Sequence, residues 1–286
     1  MPREVPSVNY HLWKSCNMRC EFCFATFQDI PTNHLPKGHL GRGDSLSVVE
    51  ALARAGFRKI NFAGGEPTLC SWLPDLIVRA KDMGLTTSVV TNGSRITPEW
   101  LDRVHGSLHW VALSIDSVNP TTLLRTGRAT RSGHMSENDY LDVIDTLKQH
   151  GVRVKINTVV TRANLQENLS DFIMKVQPER WKLLQVLSVR GQNDTRVEDH
   201  LVSLEEFKRY VQLNMHVEEY RITVVPESND LMTGSYVMVD PAGRFFDNVA
   251  GGHTYSRPIL DVGVEEALSD VSVDATKFIS RGGLYA

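Results

Sequence analysis

Three cysteines near the N-terminus constrain this chain more than any other feature. Cys16, Cys20 and Cys23 form a C-x3-C-x2-C pattern, with Phe24 directly after it. Three thiolates this close in sequence can face one point if the loop curls around a metal centre. A structural zinc site needs four ligands, whereas an iron–sulfur cube held by three cysteines keeps one iron open for another ligand. The spacing predicts a metal centre with an open coordination position.

A zinc loop is the alternative interpretation of these cysteines. The remaining cysteine, Cys70, stands far along the chain with no second C-x2-C pair beside it, and His11 or His34 could complete a tetrahedral site. A cluster of this kind is not typical of a disulfide framework. It indicates a reducing compartment.

Length and charge restrict the class of protein. With 286 residues and 41% hydrophobic residues, the chain can bury one large α/β core. The net charge of −3 and the lack of a Lys/Arg run predict no direct nucleic-acid binding. No apolar stretch approaches the length of a membrane span, and the first residues contain no signal-peptide core. We therefore expect a cytoplasmic protein without membrane contact.

The periodicity of apolar residues predicts repeated βα units on a parallel sheet. Strands are expected at residues 8–12, 59–62, 86–91, 110–115, 152–160 and 181–189. The first helix is expected to begin at the capping-box pattern of Ser47 and Glu50, and residues 116–133 are expected to form a loop. Polar and glycine residues follow the strand ends, where barrels of parallel strands place their sites.

The fold class predicted is α/β, a partial (β/α)6 barrel with a C-terminal extension. Residues 1–190 are expected to form the barrel. Residues 191–286 are expected to pack on it and cover the site, with a helix near 203–217, a short strand at 221–225 and a hairpin at 235–248 that turns around residues 240–243.

A second motif, Gly64-Gly65-Glu66-Pro67, directly follows the second strand. Adjacent glycines allow a ligand to approach the backbone closely, and Pro67 stiffens the exit from the turn. Glu66 places a negative charge nearby. Strand-end carbonyls and this carboxylate together can bind an ammonium group.

The two motifs together resemble the signature of the radical S-adenosylmethionine (SAM) enzymes. Longer segments resemble the viperin family within that group, from about Ser7 to Gly283: Lys155-Ile-Asn157, Arg180-Trp-Lys182, Val225-Pro-Glu-Ser-Asn229 and Ile259-Leu-Asp-Val-Gly-Val-Glu-Glu-Ala267. The chain lacks the N-terminal amphipathic helix and most of the C-terminal tail of animal viperins. It is similar to the short, membrane-free viperin-like proteins of microbes.

The resemblance implies a radical SAM barrel that holds a [4Fe–4S] cluster on Cys16, Cys20 and Cys23, with SAM on the open iron. A low-potential donor, flavodoxin- or ferredoxin-like, supplies electrons. The 5′-deoxyadenosyl radical then takes the 4′ hydrogen of a ribonucleoside triphosphate. Loss of the 3′-hydroxyl as water, with one more electron and a proton, gives a 3′-deoxy-3′,4′-didehydro nucleotide that terminates RNA chains. The positions matched to SAM binding are Gly64, Gly65, Glu66, Asn92, Ser114, Asp116 and Arg128.

Four cations on or beside predicted strands fit a triphosphate, namely Lys59, Lys155, Arg180 and Lys182. Strands of a parallel barrel are largely buried, and a buried cation needs a partner or a ligand. Arginine suits bidentate phosphate contact and lysine acts as a point charge. Asn9 and Asn157 add neutral substrate contacts by resemblance. The alternative is that these cations pair with acids such as Glu66 or Glu227.

The cation set does not select a base, so CTP, UTP and GTP all remain candidate substrates. Tyr255, in a glycine-flanked loop, is a candidate to cover the base. Two other functions stay open. One is a radical SAM enzyme that acts on a peptide or another small metabolite, and the other is a non-enzymatic antiviral scaffold.

Overall fold

The computed structural model describes residues 3–32 and 35–285. Its strands are β1 (Ser7–Trp13), β2 (Lys59–Gly64), β3 (Thr86–Thr91), β4 (Trp110–Ser114), β5 (Arg153–Val160), β6 (Arg180–Gln185), β7 (Thr223–Glu227), β8 (Val237–Val239), β9 (Arg244–Asp247) and β10 (Thr254–Pro258). They form one sheet in the order β10-β9-β8-β1-β2-β3-β4-β5-β6-β7. Neighbouring strands from β1 to β7 are all parallel, and β8 is parallel to β1.

Helices connect the strands and cover the outer face of the sheet. They are α1 (Arg42–Arg54), α2 (Leu73–Asp82), α3 (Pro98–Asp102), α4 (Pro120–Arg125), α5 (Glu137–Gln149), α6 (Ser170–Val176), α7 (Leu204–Asn214), α8 (Asn229–Met232), α9 (Ile259–Val262), α10 (Val264–Ser269) and α11 (Ala275–Ser280). The α/β radical SAM fold predicted from the sequence is confirmed. None of the described helices is long and apolar enough to cross a membrane.

Alternation along the strands separates the core from the interior cavity. On β1, Val8, Tyr10 and Leu12 are buried in the hydrophobic core, whereas Asn9 and His11 line the cavity. Successive side chains of a strand point to opposite faces, so this pattern assigns one face to helix packing and the other to the cavity. Large side chains such as those of Tyr10 and Trp181 are completely buried in the core.

Two local predictions were wrong. The first helix begins at Arg42, after Gly41 in an extended conformation, so the Ser47 pattern lies inside the helix. The expected loop at 116–133 contains α4, whose N-cap Asn119 accepts a hydrogen bond from the backbone N–H of Thr121. Asn119 and the following Pro120 are a helix-start signal in their own right. Neither difference moves a strand end.

The residues after 190 extend the same sheet at both of its edges. β7 pairs with β6 in parallel, and β8 pairs with β1. The hairpin predicted at 235–248 is confirmed: β8 and β9 are antiparallel and joined by a turn at Asp240 to Gly243, and β10 follows in antiparallel pairing. The residues after 190 therefore share one sheet with the strands that precede them.

Candidate functional site

A cavity of about 690 Å³ lies on the inner face of the sheet. It is lined by the three cysteines and by nearly all other residues predicted to form the site, namely Asn9, Gly64, Gly65, Glu66, Asn92, Ser114, Asp116, Arg128, Lys155, Asn157, Arg180 and Lys182. Lys59 is the exception, since it does not line the cavity. Residues that are far apart in sequence are thus brought to one space by the parallel strands.

The cysteine loop follows β1 and is fixed by its own backbone. The N–H groups of Arg19 and Glu21 donate to the carbonyl oxygens of Gly127 and Thr126, both at 3.1 Å. The amide of Asn193 donates to the carbonyl oxygen of Phe22 at 3.0 Å. Backbone contacts with two distant segments hold the loop in place. Within the loop, the N–H of Met18 also donates to the Sγ atom of Cys16 at 3.4 Å.

The surroundings of the three thiols disfavour an uncompensated thiolate. All are free, and burial raises the pKa of Cys16 and Cys23 and raises that of Cys20 to about 11. A metal ligand must be a thiolate, and bound iron supplies the positive charge that stabilises it in a buried place. The donor set therefore fits a metal centre held by thiolates.

The spacing of the side chains does not support a zinc site. Among residues 3–32 and 35–285, no three His, Cys, Asp or Glu side chains converge closely enough to hold a single metal ion. In an iron–sulfur cube each thiolate binds a different iron, so the sulfur atoms surround a larger group. His11 packs against the rings of Phe24, Phe27 and Phe246, and burial lowers its pKa to about 3. His34 lies outside the described residues.

The two glycines of the Gly-Gly-Glu-Pro turn are needed for packing against the start of the cysteine loop. A Cβ atom on Gly64 would lie 2.4 Å from the carbonyl oxygen of Trp13, and one on Gly65 would lie 2.3 Å from that of Ser15. The N–H of Glu66 also donates to the oxygen of Ser15 at 2.9 Å. The backbone of Trp13 and Ser15 therefore approaches the two glycines closely. Both glycines also line the cavity, where a ligand can reach them.

Replacement of Gly65 by alanine is expected to lower the free energy of unfolding by about 1–3 kcal/mol, because rigid backbone atoms must move to admit the methyl group. Urea unfolding of the metal-free protein measures this change. Gly43→Ala is the matched control, since nothing lies within 4 Å of its added Cβ. A Gly65→Ala protein as stable as the control would contradict the close contact.

Glu66 braces the ends of β2 and β3. Its carboxylate accepts hydrogen bonds from the backbone N–H of Thr68 and of Asn92, at 3.0 and 2.9 Å, and from the hydroxyl of Thr91 at 2.7 Å. Burial raises its pKa although these donors oppose the shift. The amide of Asn92 donates to Asn17 in the cysteine loop at 2.9 Å. These contacts connect the turn to the cysteine loop.

Asp116 and Arg128 form a buried ion pair at the end of β4. The Nε atom of Arg128 donates to the Asp116 carboxylate at 2.7 Å, and a second guanidinium nitrogen bonds the same oxygen. Burial opposes the charge of Arg128, but the neighbouring Asp116 raises the pKa above its ordinary value. The other Asp116 oxygen accepts from the N–H of Val159 at 2.8 Å. Asp116 and Arg128, both matched to SAM binding by resemblance, are thus already paired with each other.

The cations gather around Tyr285, a residue that sequence reasoning missed. The Nζ atom of Lys59 lies 3.4 Å from the centre of its ring, and the Arg180 guanidinium carbon lies 4.2 Å from it. The Nζ atom of Lys155 bonds the Tyr285 hydroxyl at 2.5 Å. A ring face attracts cations through its quadrupole, but it does not cancel their charge. No local sequence signal identifies Tyr285, because only the folded chain brings it to strands β2, β5 and β6.

Glu227 on β7 is the carboxylate that pairs with cations in this region. It accepts from Lys182 at 2.5 Å and from Arg281 at 3.2 Å, and the hydroxyl of Tyr236 also bonds it. Although burial opposes its ionisation, these cations hold its pKa below the ordinary value. The expected alternative of pairing with Glu227 therefore holds for Lys182. Pairing with Glu66 does not occur.

Three cations remain without an acid. Lys59, Lys155 and Arg180 have no carboxylate within 4.0 Å in the described parts of the chain, although Lys155 is only 3% exposed. Burial and the neighbouring cations lower the pKa of all three side chains. That of Lys155 lies well below its usual range, and that of Lys59 falls to about 7. The region therefore has more basic side chains than carboxylates to pair with them.

This excess predicts a specific pH dependence of stability. In the folded protein Lys59 loses its proton near pH 7, whereas in the unfolded chain it keeps the proton to about pH 10.5. Between these values the unfolded chain binds more protons, so the free energy of unfolding rises with pH, by up to about 1.4 kcal/mol per pH unit for this group. Urea unfolding across that window should show a shallower rise for Lys59→Met than for the native protein. Parallel curves would contradict the shift.

Tyr255 does not take the place suggested for it. Its hydroxyl donates to the Asp29 carboxylate at 2.8 Å, and it is not among the residues that line the cavity. Tyr236 lines the cavity instead and bonds the Nζ atom of Lys182 at 2.9 Å. Tyr236 lies between β7 and β8, directly before β8. The pairing of β8 with β1 brings it to the cavity, and the sequence does not indicate that pairing.

Comparison with known families identifies a broad match. The model of the Radical SAM superfamily matches residues 10–173. A solved structure described as native anSMEcpe with bound AdoMet has a TM-score of 0.69 over 91% of this chain and 79% of its own, at 14% sequence identity. At that identity the likeness concerns the fold alone.

Two curated relatives are more similar in sequence. A protein of Lacinutrix mariniflava named S-adenosylmethionine-dependent nucleotide dehydratase is 52% identical over 99% of this chain, which spans 59% of the length of that protein. A protein of Flammeovirga pacifica with the same name is 50% identical, over 98% of this chain and 96% of its own length.

Proposed function

We propose that this chain, which belongs to the radical SAM superfamily and within it to the S-adenosylmethionine-dependent nucleotide dehydratases of the viperin type, removes water from a ribonucleoside triphosphate. The proposed product is the 3′-deoxy-3′,4′-didehydro nucleotide. The observation that carries the proposal is the cavity, which joins three half-buried thiols to Lys155 and Arg180, two cations without a carboxylate partner in the described parts of the chain.

The cations support a polyanionic substrate. Lys155 and Arg180 are neighbours in the register of β5 and β6, and Lys182 follows opposite Asn157. Glu227 contacts both Lys182 and Arg281, whereas Lys155 and Arg180 have no carboxylate partner in the described parts of the chain and remain for a ligand. A triphosphate would supply the missing negative charge, with bidentate contacts to Arg180 and point contacts to Lys155. Neutral or cationic substrates would leave this charge uncompensated.

The direction of the strands orders the substrate along the cavity. The chain passes from Lys155 to Asn157 on β5, and from Ala112 through Ser114 to Asp116 at the end of β4. Each step of two residues advances about 7 Å toward the strand ends. The cations therefore lie nearer the start of the strands, and the thiols lie beyond their ends. We call the row of Lys155 and Arg180 the first level and the row of Asn157 and Ser114 the middle level. Phosphates bound at the first level would place the ribose at the middle level.

Uncharged polar groups at that middle level suit ribose hydroxyls. Asn157 pairs with Ser114 across β4 and β5. Asn9 and Asn61 also line the cavity, but the register places them with Arg153, before the level of Lys155; the Asn61 amide donates to the Asn9 oxygen at 2.8 Å. Amides and hydroxyls can both donate and accept, as ribose hydroxyls require. The middle level can therefore orient the sugar between the cations and the thiols.

The cofactors would bind at the cysteine end. Cys16, Cys20 and Cys23 would hold a [4Fe–4S] cluster, and Gly64, Gly65 and Glu66 with Asn92 and Ser114 would hold SAM. When bound and reduced, this pair supplies the 5′-deoxyadenosyl radical that takes the 4′ hydrogen of the nucleotide. The buried Asp116–Arg128 pair fixes the end of β4 beside the thiols. Phe22, packed near Arg128, helps to exclude water.

The whole reaction consumes two electrons and one proton. One electron cleaves SAM to methionine and the 5′-deoxyadenosyl radical, which becomes 5′-deoxyadenosine on gaining the 4′ hydrogen. The 3′-hydroxyl leaves with the proton as water, and the second electron completes the 3′,4′ double bond. We assign both electrons to a low-potential carrier of the flavodoxin or ferredoxin kind.

A deuterium label tests the site of hydrogen removal. The reconstituted, reduced protein is incubated with SAM and a 4′-deuterated ribonucleoside triphosphate. One deuterium in the 5′-deoxyadenosine, found by mass spectrometry, is the expected result, with no deuterium when the label is at 5′. Unlabelled 5′-deoxyadenosine formed together with a dehydrated nucleotide would overturn the proposed position.

A further inference from the structure

Exposed arginines lie on the segments that support the cysteine loop. We define the arginine rim as Arg19, Arg95 and Arg125, with the neighbouring Leu124. The three arginines are exposed, and Leu124 is 57% exposed. No function derived above uses these side chains, although each belongs to a segment bonded to the loop.

Hydrogen bonds place these segments beside the thiols. Arg19 lies in the cysteine loop itself, and its guanidinium donates to the carbonyl oxygen of Cys16 at 2.6 Å. Ser94, next to Arg95, accepts from the Asn17 amide at 2.9 Å. Arg125 ends α4, and the next residue, Thr126, accepts from the N–H of Glu21. The rim therefore borders the stretch of chain that carries Cys16 and Cys20.

The rim has a local excess of positive charge. Between Asp116 and Glu137 the sequence has three arginines and no acid, and Asp116 is consumed by the buried Arg128. Within the described parts of the chain, neither Arg95 nor Arg125 has an acid within 4.0 Å. Glu21, the acid of the cysteine loop, bonds His200 at 2.8 Å. This charge contrasts with the chain as a whole, whose net charge is −3.

We propose that the arginine rim is the docking surface for an acidic, low-potential electron-carrier protein. This inference rests on the proposed function, because that reaction requires electrons from outside the chain. Positive surfaces steer acidic partners and raise association rates, and the exposed Leu124 adds an apolar contact beside Arg125. Electron delivery also requires a short path, which the direct attachment of the rim to the cysteine loop supplies.

The transfer at this surface is a one-electron exchange. The reduced carrier loses one electron and the oxidised [4Fe–4S]2+ cluster gains it to become [4Fe–4S]+. No bond forms or breaks, and no proton has to move. The small size of the rim fits the weak, transient interfaces of redox partners, which release the carrier after each exchange.

The test is the double variant Arg95→Glu with Arg125→Glu, because neither side chain bonds another group within the described structure. Arg58→Glu is the control: Arg58 is exposed at the start of β2, at the opposite end of the strand from the cysteine loop. The probe is a flavodoxin. Its dissociation constant is measured at low and high salt with the metal-free protein, and cluster reduction by flavodoxin hydroquinone or by dithionite is followed by absorbance.

The double variant is expected to bind flavodoxin at least about tenfold more weakly at low salt and to be reduced by it about tenfold more slowly, while dithionite reduces it at the native rate. The Arg58 control should behave as the native protein does. Unchanged flavodoxin binding and reduction in the double variant would overturn the proposal. So would a loss confined to the binding of an RNA oligonucleotide, which would assign the rim to nucleic acid.

These readouts separate the docking proposal from the proposed reaction. Binding and cluster reduction are measured without nucleotide, so they are independent of the substrate. A protein that is reduced through the rim but forms no dehydrated nucleotide would disprove the reaction and leave the docking surface intact. If the protein dehydrates nucleotide with dithionite, but the double variant is reduced by flavodoxin at the native rate, the docking surface is disproved and the reaction stands.

Discussion

The Cys20→Ser protein is expected to form no dehydrated nucleotide and to retain less iron than the native protein. Serine keeps the size of the side chain, but its hydroxyl is a far poorer iron ligand than a thiolate. Cys20 lies between the backbone anchors at Arg19 and Glu21, so the loop should keep its shape without the sulfur. We expect product formation to fall by at least about a thousandfold, because every turnover depends on the cluster.

Cys70→Ser is the matched control for this variant. Cys70 is equally a free thiol and is 1% exposed, but it belongs to the hydrophobic core and does not line the cavity. It should lose some stability and keep its iron and its activity. Iron analysis, thermal unfolding and product assay on both variants measure these outcomes. Full activity in Cys20→Ser would contradict the assignment of the cluster, and unchanged antiviral activity in cells without product would favour a scaffold.

Lys155→Met is expected to have opposite effects on substrate binding and on stability. A hydrogen bond to a charged group contributes about 1.5–3 kcal/mol, so loss of one phosphate contact should raise KM for the triphosphate about 10- to 100-fold. The same change removes a buried cation that has no carboxylate partner, so the free energy of unfolding at pH 7 should stay the same or increase. Cleavage of SAM without nucleotide should continue.

Lys182→Met is the comparison that makes this result specific. Lys182 contacts Glu227, which would keep Arg281 as its partner. Its loss should therefore destabilise the fold, by about 1–3 kcal/mol, and raise KM less than Lys155→Met does. Kinetics with varied triphosphate and urea unfolding distinguish the two variants. If Lys155→Met left KM unchanged, or if both variants lost equal stability, the division between a ligand-binding lysine and a paired lysine would be wrong.

Much of the site could be predicted because parallel strands bring their ends together. The polar residues after β1, β2, β3 and β4 were identified one by one, and the fold places them around one cavity. Gly64 and Gly65 were expected to admit a ligand, and the structure adds a second reason, their contact with the carbonyl groups of Trp13 and Ser15. A motif can thus indicate the right residues before their packing role is known.

Other features depend on contacts that local patterns do not specify. Glu227 and Tyr236 reach the cations because β7 and β8 extend opposite edges of the sheet, and Tyr285 reaches them from the segment after α11. The same strands explain why Lys182 is paired while Lys155 is not. Lys59 was expected to contact substrate, but the ring of Tyr285 lies against its Nζ atom. The start of α1 was misplaced because a Ser-x-x-Glu pattern also occurs within helices.

The most direct test of the central claim is to incubate the reconstituted, reduced protein anaerobically with SAM and each of the four ribonucleoside triphosphates in turn. Mass spectrometry should find a product lighter than one triphosphate by one water, formed together with 5′-deoxyadenosine. That result would establish both the dehydration and the base. Formation of 5′-deoxyadenosine at the same slow rate with all four, and no dehydrated nucleotide, would contradict the account and favour a radical SAM enzyme with a different substrate.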